Sequence, residues 1–372
     1  MVTYVQGINH KTLKNCRLQI GIPLERVELG IPKIREVEAG EKGLTFRQLD
    51  LLASMYHVPR WVFLQEEIPE IYDYGNTIPG FRKLKESPIA ADPIVTAKIN
   101  TIMARLDQLR SLVIDLETDL GQPIAPFSPP LILQDPIKTA TNIRTWLQVP
   151  DNEFPPFETW RLLVEEKGIL VFLTSKYLGW SHVDPTIFRG LSMYYGTLPI
   201  IVINDSDARM AQSFTLFHEL GHLLRKKSRV YTWLDNTMEE KWCDMLAGSI
   251  LIPSSAHLNP ITTIKDLRAG ATMFNVSNYA YLVRLRQLGI VGKQQYDALE
   301  QELFNEWQHI QEKRKQNTGG PQRIIPKEKR KQYGRVIQTL LQAYTENELS
   351  LVQTMRILEL KKPDYLFELM ET

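Results

Sequence analysis

The sequence contains only two cysteines in 372 residues, Cys16 and Cys243. Two distant thiols cannot form the dense disulfide framework of small secreted domains, and such low usage is typical of a reducing compartment. Cys243 lies within an apolar segment, where a small buried thiol is the ordinary interpretation. The cysteine content therefore predicts a cytoplasmic protein.

Neither sign of charge is in excess, because 44 Lys and Arg face 43 Asp and Glu. A net charge of +1 gives no overall electrostatic reason to bind nucleic acid or a membrane. No run approaches the roughly 20 apolar residues of a membrane span. Gly7, Asn9, His10 and Lys11 interrupt the first segment, which therefore lacks a signal-peptide core. We expect a cytoplasmic protein without membrane contact, long enough for two or three domains.

The most informative motif is His218-Glu219-Leu220-Gly221-His222, inside an apolar, helix-compatible run. Residues four apart share one face of a helix, so both imidazoles can reach one metal ion. Glu219 is displaced around the helix, where it can reach a water bound to that ion. The motif is typical of metal-assisted peptide-bond hydrolysis, with His218 and His222 as ligands and Glu219 as the catalytic general base.

A catalytic zinc site takes three protein ligands, and a candidate for the third follows in the next predicted helix. Glu240 begins that helix, and Asp244, one turn on, could accept the free ring N–H of a ligating histidine. Glu239 is chemically equivalent to Glu240, so spacing alone does not choose between them, although the Glu-x-x-x-Asp spacing favours Glu240. The predicted cofactor is Zn²⁺, with Mn²⁺ as the alternative.

These segments resemble the ImmA/IrrE family of zincin metallopeptidases. Phe217 stands where a small residue is commoner in that family, and Ser213 where an Arg is often found. The resemblance implies a regulatory endopeptidase that cuts a specific protein, such as an Xre-type repressor or an antitoxin. It rests on the motif helix and on flanking segments: 165–171, 188–192, 199–204, 214–222 and the ligand helix ending at Pro253.

The first 68 residues resemble an Xre-type helix-turn-helix domain, particularly over residues 37–40 and 45–53. DNA is therefore a candidate partner of residues 1–68. The predicted turn and recognition helix carry four carboxylates, which oppose the approach of phosphate: Glu25, Glu28, Glu36 and Glu38. A degenerate unit that binds protein, or only packs on the peptidase, is the alternative.

The predicted fold class is α+β, mainly α. The strand 200–203 precedes the motif helix and is a candidate for holding an extended substrate by strand addition. The chain is expected to comprise a helix-turn-helix-like domain (1–68), a linker (69–93), a zincin-like peptidase domain with a helical lead-in and a small sheet (94–255), a helical, helix-turn-helix-shaped region packing on it (256–310), a basic linker (311–335) and a C-terminal helical pair (336–372).

Two questions remain open at the level of sequence. A competing class is a DNA-binding transcriptional regulator or a toxin–antitoxin component whose zincin domain senses a metal or a partner. Glu219 argues against it, because metal binding alone does not need that carboxylate. No motif places the residue that stabilises the oxyanion, for which the candidates are Tyr194, Tyr195, Arg209, Tyr231 and His257.

Overall fold

The protein is mainly helical with one small sheet, as the sequence predicts. A computed structural model of the chain describes residues 4–56, 58–69, 93–122, 124–174, 189–231, 238–258, 261–316 and 325–371. The chain divides into two compact units, residues 1–111 and 112–372. The division falls within a long helix, Pro93–Asp119, so the predicted boundary at residue 94 differs from it.

Sixteen α-helices, one 3₁₀ helix and four strands make up the described part of the chain. In chain order they are α1 His10–Ile20, α2 Leu24–Glu28, α3 Ile34–Glu38, α4 Phe46–Tyr56, the 3₁₀ helix Arg60–Leu64, α5 Pro93–Asp119, α6 Pro136–Trp146, α7 Phe157–Glu165, β1 Leu170–Leu173, β2 Gly190–Met193, β3 Ile200–Ile203, α8 Arg209–Leu224, β4 Arg229–Tyr231, α9 Met238–Leu251, α10 Ile264–Met273, α11 Asn278–Gln287, α12 Lys293–Gln316, α13 Ile325–Tyr333, α14 Val336–Thr345, α15 Leu351–Ile357 and α16 Pro363–Glu371.

The first unit follows local sequence signals closely. Asn9 caps α1 by accepting a hydrogen bond from the backbone N–H of Thr12, and Gly21 ends the helix in the left-handed conformation. Arg17 and Glu38 form a buried ion pair with a 2.6 Å contact between α1 and α3. Helices α2 and α3 are only five residues long, so the segment that resembles a recognition helix is short.

The sheet has the strand order β1-β3-β2-β4. β1 runs parallel to β3, whereas β2 runs antiparallel to both β3 and β4. Every residue of β1, β2 and β3 is buried, as expected for short apolar strands covered on both faces. Because β3 is hydrogen-bonded on both sides, it has no free edge. The prediction that 200–203 binds substrate by strand addition is therefore wrong, and β1 and β4 are the outer strands.

Helix α8 is enclosed between the sheet and two further helices. It packs on β2 and β3 on one side and against α7 and α9 on others. Phe217 meets Trp160 of α7 edge to face, with ring centroids 4.9 Å apart, which accounts for a large residue at this position. Gly221 allows α9 to approach closely, because a Cβ at this position would lie 2.9 Å from Cys243 Sγ. The motif helix is thus held on every side by packing.

Helices α10 and α11, in the segment predicted as 256–310, share one hydrophobic core with the motif helix. Leu267, Phe274 and Leu285 are buried in the same cluster as Leu220 and Ile250. A capping box at Thr263 and Asp266 begins α10. These two helices therefore contribute side chains to the core in which the motif helix is buried.

The predicted basic linker 311–335 differs from the structure. Helix α12 extends to Gln316, and 325–333 forms α13, while 317–324 lie outside the described residues. Lys329 is buried, 3.4 Å from Glu359 and over the ring of Tyr333. A run of Lys and Arg residues predicts a solvated linker, but partners that are brought close by the fold neutralise Lys329, so this lysine is buried. The predicted linker 69–93 lies almost wholly outside the described residues.

The membrane expectation has one structural test. Within the part of the chain that the structure describes, the helices fall short of the length and apolar character needed to cross a bilayer.

Replacing Gly221 with Ala should destabilise the protein. Alanine is about 1 kcal/mol better than glycine in a helix, but overpacking against Cys243 costs about 1–3 kcal/mol. We expect a net loss in the free energy of unfolding, measured by urea denaturation with chelator present. In a Cys243→Ala background the loss should shrink by about 1 kcal/mol or more, because the 2.9 Å clash with the sulfur is gone.

Gly248→Ala on α9 is the matched control. A Cβ there would lie 3.6 Å from Gln287 Oε1 and 3.7 Å from Arg284 Cδ, which is ordinary contact. This variant should be neutral or slightly stabilising. Equal effects of the Gly221 and Gly248 substitutions would contradict the close-packing explanation.

Candidate metal centre

The motif residues lie in the most buried part of the second unit. From Ala211 to Leu224, every residue of α8 except Phe214 is buried. The two histidines are fully buried, and Glu240, on α9, is 3% exposed. A buried cluster of two imidazoles and a carboxylate costs free energy unless its members are paired or bind an ion.

His218, His222 and Glu240 converge through three short contacts. The Nε2 atom of His218 lies 2.9 Å from Glu240 Oε2 and 3.2 Å from the Nε2 atom of His222. The Nε2 atom of His222 lies 3.4 Å from Glu240 Oε1. All three residues offer one ligand atom within 4.8 Å of the others. The two helices therefore bring together the two histidines and the carboxylate that the sequence singles out.

These spacings fit a tetrahedral zinc site. Ligand atoms about 2.0–2.1 Å from a tetrahedral ion lie about 3.3 Å apart. The separation of 3.2 Å between the two Nε2 atoms is close to that value, and the Nε2 atoms of His218 and His222 lie 2.9 and 3.4 Å from the two different oxygens of the Glu240 carboxylate. Two imidazole nitrogens and one carboxylate oxygen are also the donor types that Zn²⁺ takes in hydrolytic sites. The residues present thus fit a divalent cation of this class.

Carboxylates also lie on the outer side of both imidazoles. Asp244 Oδ1 is 2.8 Å from His218 Nδ1. Glu239 Oε1 is 3.3 Å from His222 Nδ1, and Glu239 also pairs with Lys227. The structure gives the two adjacent carboxylates different positions: Glu240, which the Glu-x-x-x-Asp spacing favours, faces the Nε2 atoms, and Glu239 faces the opposite edge of one ring.

The charges of the cluster favour a cation at its centre. Burial opposes ionisation of Glu240, but hydrogen bonds from His218 and His222 outweigh it and hold the pKa of Glu240 well below its usual range. Burial likewise opposes a charge on His222, but its hydrogen bonds with Cys243, Glu239 and Glu240 raise its pKa well above the ordinary value. The carboxylates thus stabilise positive charge between them, which a divalent ion supplies without protons.

Glu219 is buried without a hydrogen-bond partner. Neither of its carboxylate oxygens is paired within the part of the chain that the structure describes. Burial raises the pKa of Glu219 to about 7, although His222 and His218 act in the opposite direction. A carboxyl group with a pKa near neutrality and two unpaired oxygens is suited to accept and release a proton.

The strand β2 makes the space in which Glu219 lies. A Cβ on Gly190 would lie 2.9 Å from Glu219 Oε1 and 2.7 Å from Thr215 Cγ2, so only glycine fits without displacement. Two residues on, the hydroxyl of Ser192 acts to lower the pKa of Glu219 but does not meet hydrogen-bond geometry. Local sequence carries no signal that connects Gly190 with this carboxylate, because only the tertiary structure brings strand β2 against the motif helix.

Of the oxyanion candidates, two lie in surroundings that do not suit the role. Arg209 is half-exposed and paired with Glu158 of α7, and His257 is exposed. The side chain of Tyr231 lies outside the described residues. Tyr194 packs on the core and donates its backbone N–H to Ser228 Oγ. The surroundings of Arg209 and His257 thus speak against this role for these two residues, and Tyr195 stays a candidate.

A helix with the His-Glu-x-x-His motif, a carboxylate from the following helix and an adjoining small sheet are the features expected of a zincin-like metallopeptidase domain. Residues 164–286, about one third of the chain, match the Peptidase_M78 family, described as the IrrE N-terminal-like domain. The match supports the resemblance to the ImmA/IrrE family and contains every residue of the cluster. Searches of curated proteins and of solved structures gave no match. The Xre-like domain lies outside the matched region and stays a prediction.

Glu219→Gln should stabilise the protein when chelator is present. Above pH 7 the wild-type protein buries an ionised, unpaired carboxylate, whereas the amide is neutral, so we expect a gain of about 1–3 kcal/mol at pH 8. The folded-state pKa of Glu219 lies above its ordinary value of 4.5, so wild-type stability falls as the pH rises from there through 7. The advantage of the glutamine variant should grow over the same range.

Chemical denaturation at pH 5 and pH 8 measures this difference. Glu166→Gln, at an exposed position, is the charge-matched control and should change stability little at either pH. A Glu219→Gln variant that is less stable than wild type at pH 8 would show that the buried carboxylate is not a source of instability.

Proposed function

We propose that the protein is a zinc-dependent metallo-endopeptidase. The observation that carries the proposal is the buried convergence of His218 Nε2, His222 Nε2 and Glu240 at spacings that suit one tetrahedral ion. Three protein ligands with a neighbouring base are the catalytic pattern, whereas structural zinc sites use four protein ligands. His218, His222 and Glu240 would hold the metal.

Each residue of the cluster has a distinct task in peptide hydrolysis. When bound, Zn²⁺ supplies a Lewis acid that lowers the pKa of water and polarises a carbonyl. Glu219 accepts the proton from the attacking water and passes it to the departing amine. Its pKa, raised by burial, and its two unpaired oxygens support this role. Asp244 holds His218 in the tautomer that presents Nε2.

A regulatory substrate is the finer part of the proposal. We expect the enzyme to cut one chosen protein, such as a helix-turn-helix repressor or an antitoxin, rather than to digest proteins in general. The resemblance to the ImmA/IrrE family and the match over 164–286 support it.

The charges of the first unit favour peptidase chemistry over DNA recognition as the main activity. Several of its cations lie within 4.0 Å of carboxylates, which leaves them less able to neutralise phosphates. The pairs are Arg17–Glu38, Arg35–Glu28, Arg35–Glu25, Lys33–Glu36 and Lys42–Glu36.

Metal content tests the ligand set. Wild type and Glu219→Gln should each retain about one zinc per chain after dialysis, because Glu219 is not a ligand. His222→Ala and Glu240→Ala should lose it, because each removes one of only three protein ligands. Elemental analysis of the four purified proteins gives the answer. Stoichiometric zinc in Glu240→Ala would refute the ligand assignment.

Cleavage tests the activity itself. Zinc-loaded wild type should generate new peptide termini, detected by mass spectrometry, in a peptide library or in a helix-turn-helix protein encoded beside the gene. Glu219→Gln, loaded with the same zinc, should be slower by about 10²–10⁴-fold because it lacks the general base. If zinc-loaded wild type cleaves neither substrate, or if both proteins cleave equally, the proposed peptidase mechanism is wrong.

A further inference from the structure

Each imidazole of the cluster has its own carboxylate on the edge that faces away from the centre. Asp244 takes this position at His218, with a 2.8 Å contact between Oδ1 and Nδ1. Glu239 takes it at His222, with a 3.3 Å contact between Oε1 and Nδ1. Both carboxylates come from α9, and so does Glu240. One helix therefore supplies the inner carboxylate and both outer ones.

Glu239 is held firmly in this position. Its second carboxylate oxygen pairs with Lys227, which follows the end of α8. The Glu239 side chain is 11% exposed and the His222 ring is fully buried, so their contact is shielded from water, whereas Lys227 is 39% exposed. Glu239 thus lies between a cation and the ring it faces.

The helix geometry excludes Glu239 from the centre where Glu240 lies. Consecutive residues on an α-helix point about 100° apart, so neighbouring glutamates cannot serve the same ion equally. Glu240 contacts the Nε2 atoms of both histidines. Glu239 contacts the Nδ1 atom of His222, on the opposite side of the ring. A ring that presents Nε2 as a ligand carries its proton on Nδ1, where a carboxylate is the appropriate acceptor.

One other group lies near the same nitrogen. Cys243 Sγ is 3.6 Å from His222 Nδ1. A neutral thiol is a weak acceptor, whereas a carboxylate forms a charge-assisted hydrogen bond of roughly twice the strength of a neutral one. Glu239 is therefore the partner that can fix the tautomer and orientation of His222.

We infer that Glu239, anchored by Lys227, is a positioning residue that holds His222 in its metal-binding tautomer. This inference rests on the proposed zinc site. The sequence predicts one positioning carboxylate, Asp244. With Glu239 there are two, one for each histidine. Positioning carboxylates of this kind contribute about 10–100-fold to metal affinity.

The test is the zinc dissociation constant, measured by competition with a chromophoric chelator. Glu239→Ala should bind one zinc about 10–100-fold more weakly than wild type. Glu239→Gln should recover part of the loss, because its amide oxygen still accepts from Nδ1–H. Lys227→Met should weaken binding less than Glu239→Ala. The visible spectrum of the Co²⁺-substituted protein should shift in Glu239→Ala, because the orientation of one ligand changes.

Matched controls separate positioning from folding and from a change of charge. Glu166→Ala removes an exposed carboxylate and should leave the dissociation constant unchanged. Urea denaturation with chelator present compares the folds of all variants. If Glu239→Ala is unfolded, Glu239→Gln and Lys227→Met decide the question by the same measurement.

Three results would overturn the inference. A dissociation constant for Glu239→Ala within about twofold of wild type would show that the contact does not support the metal. Complete loss of stoichiometric zinc, as expected for Glu240→Ala, would make Glu239 a ligand instead. If wild type binds no zinc, both the proposed function and this inference fail. If wild type binds zinc and Glu239→Ala binds it equally well, only the inference about Glu239 fails.

Discussion

The close contact between helices α8 and α9 is the constraint on which the candidate site depends. Two histidines lie on one helix and Glu240 lies on the other, so neither helix forms the site alone. The contact is close because Gly221 presents no side chain to Cys243. Both helices are buried in one hydrophobic core that also includes parts of α6, α7, α10 and α11. Packing thus buries three polar groups whose transfer into an apolar interior costs free energy unless they are paired or bind an ion.

Among the residues that the structure describes, one buried polar group without a hydrogen-bond partner lies at the site. The core around α8 is close-packed, but the carboxylate of Glu219 is enclosed there with both oxygens unpaired. Gly190 on β2 leaves space for that carboxylate, because a side chain at this position would occupy the same space. A buried group without partners lowers stability, and such groups are commonly retained where chemistry requires them. The arrangement therefore favours reactivity over stability.

Particular residues show where sequence reasoning succeeded and where it could not. The predicted strand at 200–203 has the observed bounds because a short apolar run is a local signal. Its expected role in strand addition was wrong, because the strand order, which places it between β1 and β2, is not local. The count of charged residues assigned Lys329 to a basic linker, yet this lysine is buried against Glu359 and Tyr333. Tyr333 lies on the same helix, α13, but Glu359 is distant in sequence, so charge count alone could not show the contact.

The sequence by itself determined the chemistry of the site and the secondary structure that carries it. The i, i+4 spacing of His218 and His222 on an apolar helix places both imidazoles on one face, and that periodicity is a local property of the chain. Only the tertiary structure decided which of two adjacent glutamates faces both Nε2 atoms. Glu239 and Glu240 have the same chemistry, and the rotation of α9 about its own axis, set by packing against α8, separates their roles.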